Sequence, residues 1–153
     1  HLDEDVFNEL GFPDRDGHMV NMVEARTFHP ADQDESDSLC GSWFELTLPV
    51  RDALGAAQFW APIAPSLIDM REEPTTHMRF GAHGVPLGLS ESIAVTTPSL
   101  CFKCPDGHVV LCQLEQSGIR CKKYPGFVCA LVVIEASEGT TLFAFEEDFL
   151  CET

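Results

Sequence analysis

The chain has 153 residues, of which 25 are Asp or Glu and 9 are Lys or Arg, giving a formal charge of −16. That length makes one domain able to bury roughly 70% of its unfolded surface, and a hydrophobic share of 44% with eleven Phe suits a packed globule. The acidity repels phosphate backbones, which argues against nucleic acid as a partner, and no apolar run approaches the ~20 residues of a membrane span.

The chain begins with His1 rather than Met, which reads as a trimmed start or a fragment. Residues 1–11, HLDEDVFNELG, read as a short acidic helix ended by Gly11, and PDRDG as a turn cluster. HMVNMVEARTF (18–28) reads as a strand. The acidic, aperiodic segment that follows, 29–41, reads as a linker.

WFELTLPV is expected to be a strand, with Asp52 capping the helix ALGAAQFWA. Ala53, Ala56, Ala57 and Trp60 share one helical face, and Pro62 and Pro65 end the helix. Glu72, Glu73 and Pro74 make a polar break. THMRFG and VPLGLSES then read as strands around Ala82-His83-Gly84.

The pattern repeats from Ser99. SLCFKC is a strand, and Asp106 sits where its carboxylate can accept from the free amides of a first helical turn. Val110, Leu111 and Leu114 recur at helical spacing, with Gly118 as the C′ glycine. IRCKKY, CALVVIEA and TTLFAFEE follow as strands, separated by Pro125-Gly126 and Ser137-Glu138-Gly139. FELTLPVRD (44–52) and PSLCFKCPD (98–106) align at an offset near 54 residues. The chain therefore divides into an N-terminal strand segment (1–28), an acidic linker (29–41), a first module (42–97) and a second (98–150), one domain overall.

Seven Cys is odd and high. No basic segment followed by an apolar one marks a secretory leader, so the thiols are expected to be reduced, mostly buried, in a cytoplasmic protein. Cys101 and Cys104 form a CxxC, but a structural zinc site needs four ligands, and residues three apart in a strand point to opposite faces. His18, His29, His77, His83 and His108 have no partner at i+2 or i+4 and read as surface or hydrogen-bonding residues. No GxSxG, P-loop or GxGxxG occurs.

Paired modules of strand, Asp-capped helix and returning strands resemble the vicinal oxygen chelate superfamily, which includes glyoxalases, extradiol dioxygenases and bleomycin- and fosfomycin-resistance proteins. The residues that carry the likeness are Val50-Arg51-Asp52 before AAQFW, Cys104-Pro105-Asp106 before the second helix, and the turns DRDG (14–17) and ASEG (136–139), each before a final strand. The resemblance implies an α+β fold: two βαβββ-type modules forming a curved, cupped mixed sheet with helices outside. Three strands in the first module and four in the second are legible, and the strand at 18–27 is expected to fill the remaining place, in its own chain or a partner's.

In enzymes of that superfamily a divalent metal is held from the first and last strands of each module. The first-strand position, seven residues before the capping Asp, is Glu45 in one module and Ser99 in the other. The last-strand position, four residues after the turn glycine, is Phe143 after Gly139 and Asn21 after Gly17; in the first module's last strand only Glu91 could coordinate. Such a set makes no three-ligand site, so no metal and no other cofactor is expected, and a binding protein rather than an enzyme.

Strand alternation puts Trp43, Glu45 and Thr47 on one face and Ser99, Cys101 and Lys103 on another, and the resemblance turns both into the cup with Phe143. Arg79 offers a second charge or a partner for Glu45. The expected ligand-binding residues are therefore Trp43, Glu45, Thr47, Arg79, Ser99, Cys101 and Phe143, taking a small organic molecule of cationic or amphipathic character; the competing reading is that they are simply core. A metal-dependent lyase, isomerase or dioxygenase with displaced ligands, and a non-catalytic interaction domain of a longer chain, stay open as alternatives. A homodimer is expected, with the N-terminal strand near the interface.

Overall fold

Asp52 and Asp106 start the two helices. In a computed structural model that describes residues 9–23, 38–64, 66–73, 75–82, 85–123, 132–137 and 139–146, both have extended backbones. The Asp52 carboxylate accepts from Gly55 N at 2.9 Å, and that of Asp106 from His108 N at 2.8 Å and Val109 N at 3.1 Å. Each helix start has a second acid from the end of its module's last strand: Ala53 N donates to Glu91 Oε1 at 2.8 Å, and Gly107 N to Glu146 Oε1 at 3.1 Å. Two orphan amides at the start of α1 and three at the start of α2 thus find carboxylate acceptors, and the negative charges sit at the positive pole of each helix. Helix α1 runs Ala53–Trp60 and α2 runs Gly107–Gln116. Gly118, at φ 75°, follows α2 where only a left-handed residue lets the chain turn away.

The chain divides into two units, residues 1–36 and 37–153. In the first, β1 (Glu9–Pro13) pairs antiparallel with β2 (Met19–Val23). Glu9, Leu10 and Gly11 are therefore in a strand, not at the end of a helix as the acidic pattern suggests; residues 1–8 lie outside the described residues. Asp14 decides this. It is 7% exposed, and its Oδ1 accepts from Asp16 N at 3.0 Å and His18 N at 2.7 Å, while Oδ2 meets His18 Nδ1 at 2.8 Å. Such an Asx turn reverses the chain and brings β2 back onto β1.

Burial alone would raise the Asp14 pKa, but the bonds from the His18 side chain and from the His18 and Asp16 amides outweigh it and hold the group below its ordinary value. A depressed carboxylate pKa stabilises above the unfolded value and stops doing so as pH falls through the folded one. The hairpin should hold at neutral pH and open below about pH 4, with amide exchange at His18 accelerating there; protection of that amide unchanged down to pH 2 would contradict this.

In the second unit the elements are β3 (Ser42–Pro49), α1, β4 (Ser66–Arg71), β5 (His77–Ala82), β6 (Val85–Ser90), β7 (Ser99–Cys104), α2, β8 (Cys121–Lys123), β9 (Val132–Glu135) and β10 (Thr141–Glu146). They form one eight-stranded mixed sheet in the order β4-β5-β6-β3-β7-β10-β9-β8. The order reads as two mirrored halves, β3 parallel to β6 in one and β7 parallel to β10 in the other, joined where β3 and β7 run antiparallel. At that joint Leu46 faces Leu100, Glu45 faces Cys101 and Thr47 faces Ser99. Since 100 − 46 is 54, the internal repeat is a pseudo-two-fold with its axis at Leu46 and Leu100.

The eighth place in the sheet belongs to β4; of the expected strand at 18–27, Met19–Val23 pair with β1 instead, and residues 24–27 lie outside the described residues. SLIDMR gives little sequence warning. It is short, and Ser66 to Met70 are all exposed, so neither face shows a buried alternation.

Each helix covers one half of the sheet. Ala53, Ala56, Ala57 and Trp60 are the buried face of α1, as their spacing predicts, and α1 packs on β5 and β6. Val110 and Leu114 of α2 pack with Cys40, Cys104, Val132, Ile134 and Ala144. Among the described residues no helix is long and apolar enough to cross a membrane.

Candidate functional site

The face of the sheet opposite α2 collects the chemistry, and a β-bulge sets it. Trp43 pairs with Phe102 and Glu45 with Cys101, so β3 spends an extra residue, Phe44, against two neighbours on β7. Beyond the bulge, Trp43 shares the face of Phe102; their rings meet edge to face at 5.6 Å, and Trp43 is 40% exposed. Trp43 therefore does not stand beside Glu45, as uninterrupted alternation predicts. Phe44 takes the place instead, packed with Cys101, Val133 and Phe143, with Val95 and Phe145 against them.

The remaining expected residues come together on this face. Glu45 is 2% exposed, a carboxylate that cannot stay charged there without partners. It has several. Oε1 accepts from Thr47 Oγ1 at 2.7 Å and lies 3.0 Å from His77 Nε2; Oε2 lies 3.5 Å from Arg79 Nε. Strand pairing explains the convergence: Thr47 pairs with Gly88 on β6, and Gly88 with Arg79 on β5, so the three stand in one row across the sheet. His77 lies two residues before Arg79 on the same strand, hence on the same face.

Gly88 makes room for the carboxylate. A Cβ there would stand 2.3 Å from Glu45 Oε1 and 2.7 Å from Cδ, well inside contact distance. The acid lies flat against bare backbone, and the sheet at this point admits no other residue type without displacing it.

Arg79 is held from two more sides. Its Nη2 donates to Phe44 O at 3.2 Å, and its guanidinium carbon sits 3.9 Å over the Phe44 ring. Phe145 meets Phe44 edge to face at 5.0 Å, and Lys103 Nζ stands 5.9 Å from the same ring.

Thr47 Oγ1 and Cys101 Sγ are 3.1 Å apart. Because the Thr47 proton goes to Glu45, the thiol is the donor in this pair, and a chain runs Cys101 to Thr47 to Glu45. Burial first, then the neighbouring Glu45 charge, push the Cys101 pKa up to about 12. It is a structural donor, not a nucleophile. Iodoacetamide at pH 8 should leave Cys101 unmodified in the folded protein while alkylating the exposed Cys112; rapid labelling of Cys101 would show the thiol chain to be broken.

Cys104 lies on the helix side, packed with Cys40 and Val110, so the CxxC is split between the two faces as strand geometry requires. Ser99, fully buried, donates to Thr97 O at 2.7 Å, and Phe143 packs on Cys101.

The metal expected of superfamily enzymes can be tested against these residues. Glu45 is already engaged by a threonine, an imidazole and a guanidinium. Ser99 is committed to backbone, Phe143 has no donor atom, and Glu91 caps α1. The donor set does not fit a divalent metal. Among the described residues no group of three His, Cys, Asp or Glu side chains is arranged to hold one.

His77 is the residue that sequence reasoning missed. A lone His at the start of a strand carries no signal by itself; only its position two residues before Arg79, on a strand three places from β7, could have pointed to Glu45.

No family profile matches the chain, and no curated protein matches it. Solved structures do. One described as an NAD-dependent benzaldehyde dehydrogenase from Legionella pneumophila matches at 17% identity and TM-score 0.54, over 66% of this chain and 96% of that one. A hypothetical protein from Bacillus halodurans C-125 matches at 10% identity and TM-score 0.55, over 69% and 94%. A glyoxalase/bleomycin resistance protein/dioxygenase superfamily member from Vibrio splendidus 12B01 matches at 9% identity and TM-score 0.49, over 69% and 100%. Identities this low speak to fold alone. Two mirrored βαβββ modules in one open mixed sheet make an α+β fold, which this chain shares with the Legionella pneumophila and Bacillus halodurans structures.

Proposed function

We propose that this chain binds a small organic molecule, without a metal, on the face that carries Phe44, Glu45, Thr47, Arg79, Cys101 and Phe143. The observation that carries the reading is the state of Glu45. It stands where the resemblance puts the first-strand ligand, yet the Arg79 guanidinium lies against its Oε2 and His77 Nε2 against its Oε1. A buried acid with built-in partners needs no cation to stay folded, and a half-made metal site would leave it uncompensated. Around it pack aromatic and aliphatic side chains, Phe44, Val133 and Phe143 at 6–8% exposure, a lining suited to an apolar body with a polar end. Of the ligand characters considered, the amphipathic one fits this better than the cationic one, since the acid is already paired.

NMR titration of the protein in EDTA with a library of small aromatic and aliphatic compounds is the test. Binders should shift the amides of Phe44, Cys101 and Phe143 with no metal added. Shifts confined to other regions, or seen only after a divalent metal is supplied, would overturn the reading.

A cytoplasmic setting is part of this proposal and accords with Cys40, Cys101, Cys104, Cys112 and Cys121 being free thiols. So is a homodimer. In the hairpin Leu10 is 63% and Met19 66% exposed, and in β4 Leu67 and Ile68 are 50% and 52% exposed, apolar surface of the kind that association covers. Sedimentation at micromolar concentration should return twice the chain mass; a monomer would refute it.

A further inference from the structure

We propose that Val95 is a built-in occupant of the apolar part of the proposed site, and that the linker carrying it, residues 91–98, is a lid which the ligand's apolar body displaces; the inference rests on the metal-free binding reading above. The linker runs from the end of β6 at Ser90 to the start of β7 at Ser99 and joins the two modules. Val95, partly buried, packs with Phe145 against the buried cluster of Phe44, Cys101, Val133 and Phe143. Five of these six side chains stand on β3, β7, β9 and β10. Val95 alone stands on a loop. The sheet presents an apolar surface, and the chain's own linker lays a branched aliphatic side chain on it.

The linker is tied at its ends and loose between them. At one end Glu91 N donates to Thr76 O at 3.0 Å, and the Glu91 carboxylate accepts from Ala53 N. At the other, fully buried Ser99 donates to Thr97 O. Between them, among the described residues, every hydrogen bond is local: Ser92 N to Ser90 Oγ, Ala94 N to Ser92 Oγ, and Val95 N to Ser92 O. None reaches a helix or a neighbouring strand. Ile93, in the middle, is 94% exposed and adds no burial. Residues 92–96 are thus held down chiefly by the packing of one side chain, and opening them costs little compared with unfolding. Lifting Val95 uncovers the cluster, and a ligand group between isopropyl and phenyl in size restores the contacts that opening loses. Apparent affinity is then set by the fraction of molecules with the linker open, so weakening the Val95 contact raises it.

Benzyl alcohol, an uncharged aromatic body with a polar end, is the probe, titrated by NMR into the full chain in EDTA. It should shift the amides of Phe44, Cys101 and Phe143, and with them those of Ala94 and Val95. Val95→Ala should bind it about five times more tightly, the scale of a half-buried side chain's contact. Val95→Thr, which leaves no cavity but holds less firmly to an apolar surface, should also bind more tightly; this separates a loosened lid from a hole that the alcohol merely fills. Ile93→Ala is the control and should bind as the wild type does. A circular-dichroism melt of each variant shows that it folds. Equal affinity at the sheet residues in all four proteins, unmoved amides at Ala94 and Val95, or tighter binding in Val95→Ala but not in Val95→Thr each overturn the lid and leave metal-free binding standing. Shifts at the sheet residues in none of the four proteins, or only when zinc chloride replaces EDTA, overturn the binding reading itself, and the lid with it.

Discussion

Gly88→Ala should cost this protein about 3 kcal/mol, far more than a glycine-to-alanine change in a strand ordinarily does. The new methyl would stand 2.3 Å from Glu45 Oε1. The carboxylate is the end of a flexible side chain, but it has nowhere to go: it is 2% exposed and tied to Thr47, His77 and Arg79. To admit the methyl it must leave at least one of them, and breaking up a buried charge network costs about 3–5 kcal/mol when one partner is stranded. Part of that is recovered here because Arg79 and His77 reach solvent, at 21% and 20% exposure. The test is a double-mutant cycle by urea denaturation. In a Glu45→Ala background the same Gly88→Ala change should cost under about 1 kcal/mol, because the group it collides with is gone. Additive costs, with no coupling between the two positions, would show that Gly88 is not there to seat the acid.

Leu114→Ala should cost about 3 kcal/mol by loss of buried surface and by the cavity it leaves. Leu114 is 1% exposed at the centre of the α2 contact, against Cys104, Val110, Val132 and Ala144, which are themselves between 0% and 5% exposed. Neighbours that well packed do not collapse into the space. Val109, on the same helix but 50% exposed, is the control: Val109→Ala should change stability by less than about 0.5 kcal/mol. Thermal or urea unfolding of the two variants separates them. Similar losses at both positions would mean that α2 is not docked through this face.

What the chain discloses in advance follows from the range of the interactions. Both helices were legible because their signals are local: Asp52 and Asp106 as caps, alanines at helical spacing in one, Val110 and Leu114 in the other. The repeat was legible for the same reason, and with it the order of the modules. Glu91 and Glu146 cap helices 38 and 39 residues before them, a distance at which spacing says nothing. Glu45, Thr47, Ser99 and Cys101 could be grouped because β3 and β7 are the first strands of two copies of one unit. Arg79 could be suggested as a partner for Glu45, but not its companion His77, because that contact exists only once β5, β6 and β3 are laid side by side. Trp43 was misplaced by one residue of bulge, which moves a side chain to the other face and which no residue type near it announces. The strand at Ser66–Arg71 escaped because an edge strand with both faces exposed carries no alternation, and residues 18–27 were lent its place.

Everything else depends on Glu45 being held by Thr47, His77 and Arg79 and not by a metal. Manganese titrated into the protein tests it most directly, since this ion prefers carboxylate and imidazole to the thiols of the chain and broadens resonances near wherever it binds. Broadening should be absent at Phe44, Glu45, His77 and Cys101 through several equivalents of manganese, and Glu45→Gln should change nothing in the titration. One equivalent bound tightly at these residues, and lost in Glu45→Gln, would contradict the account.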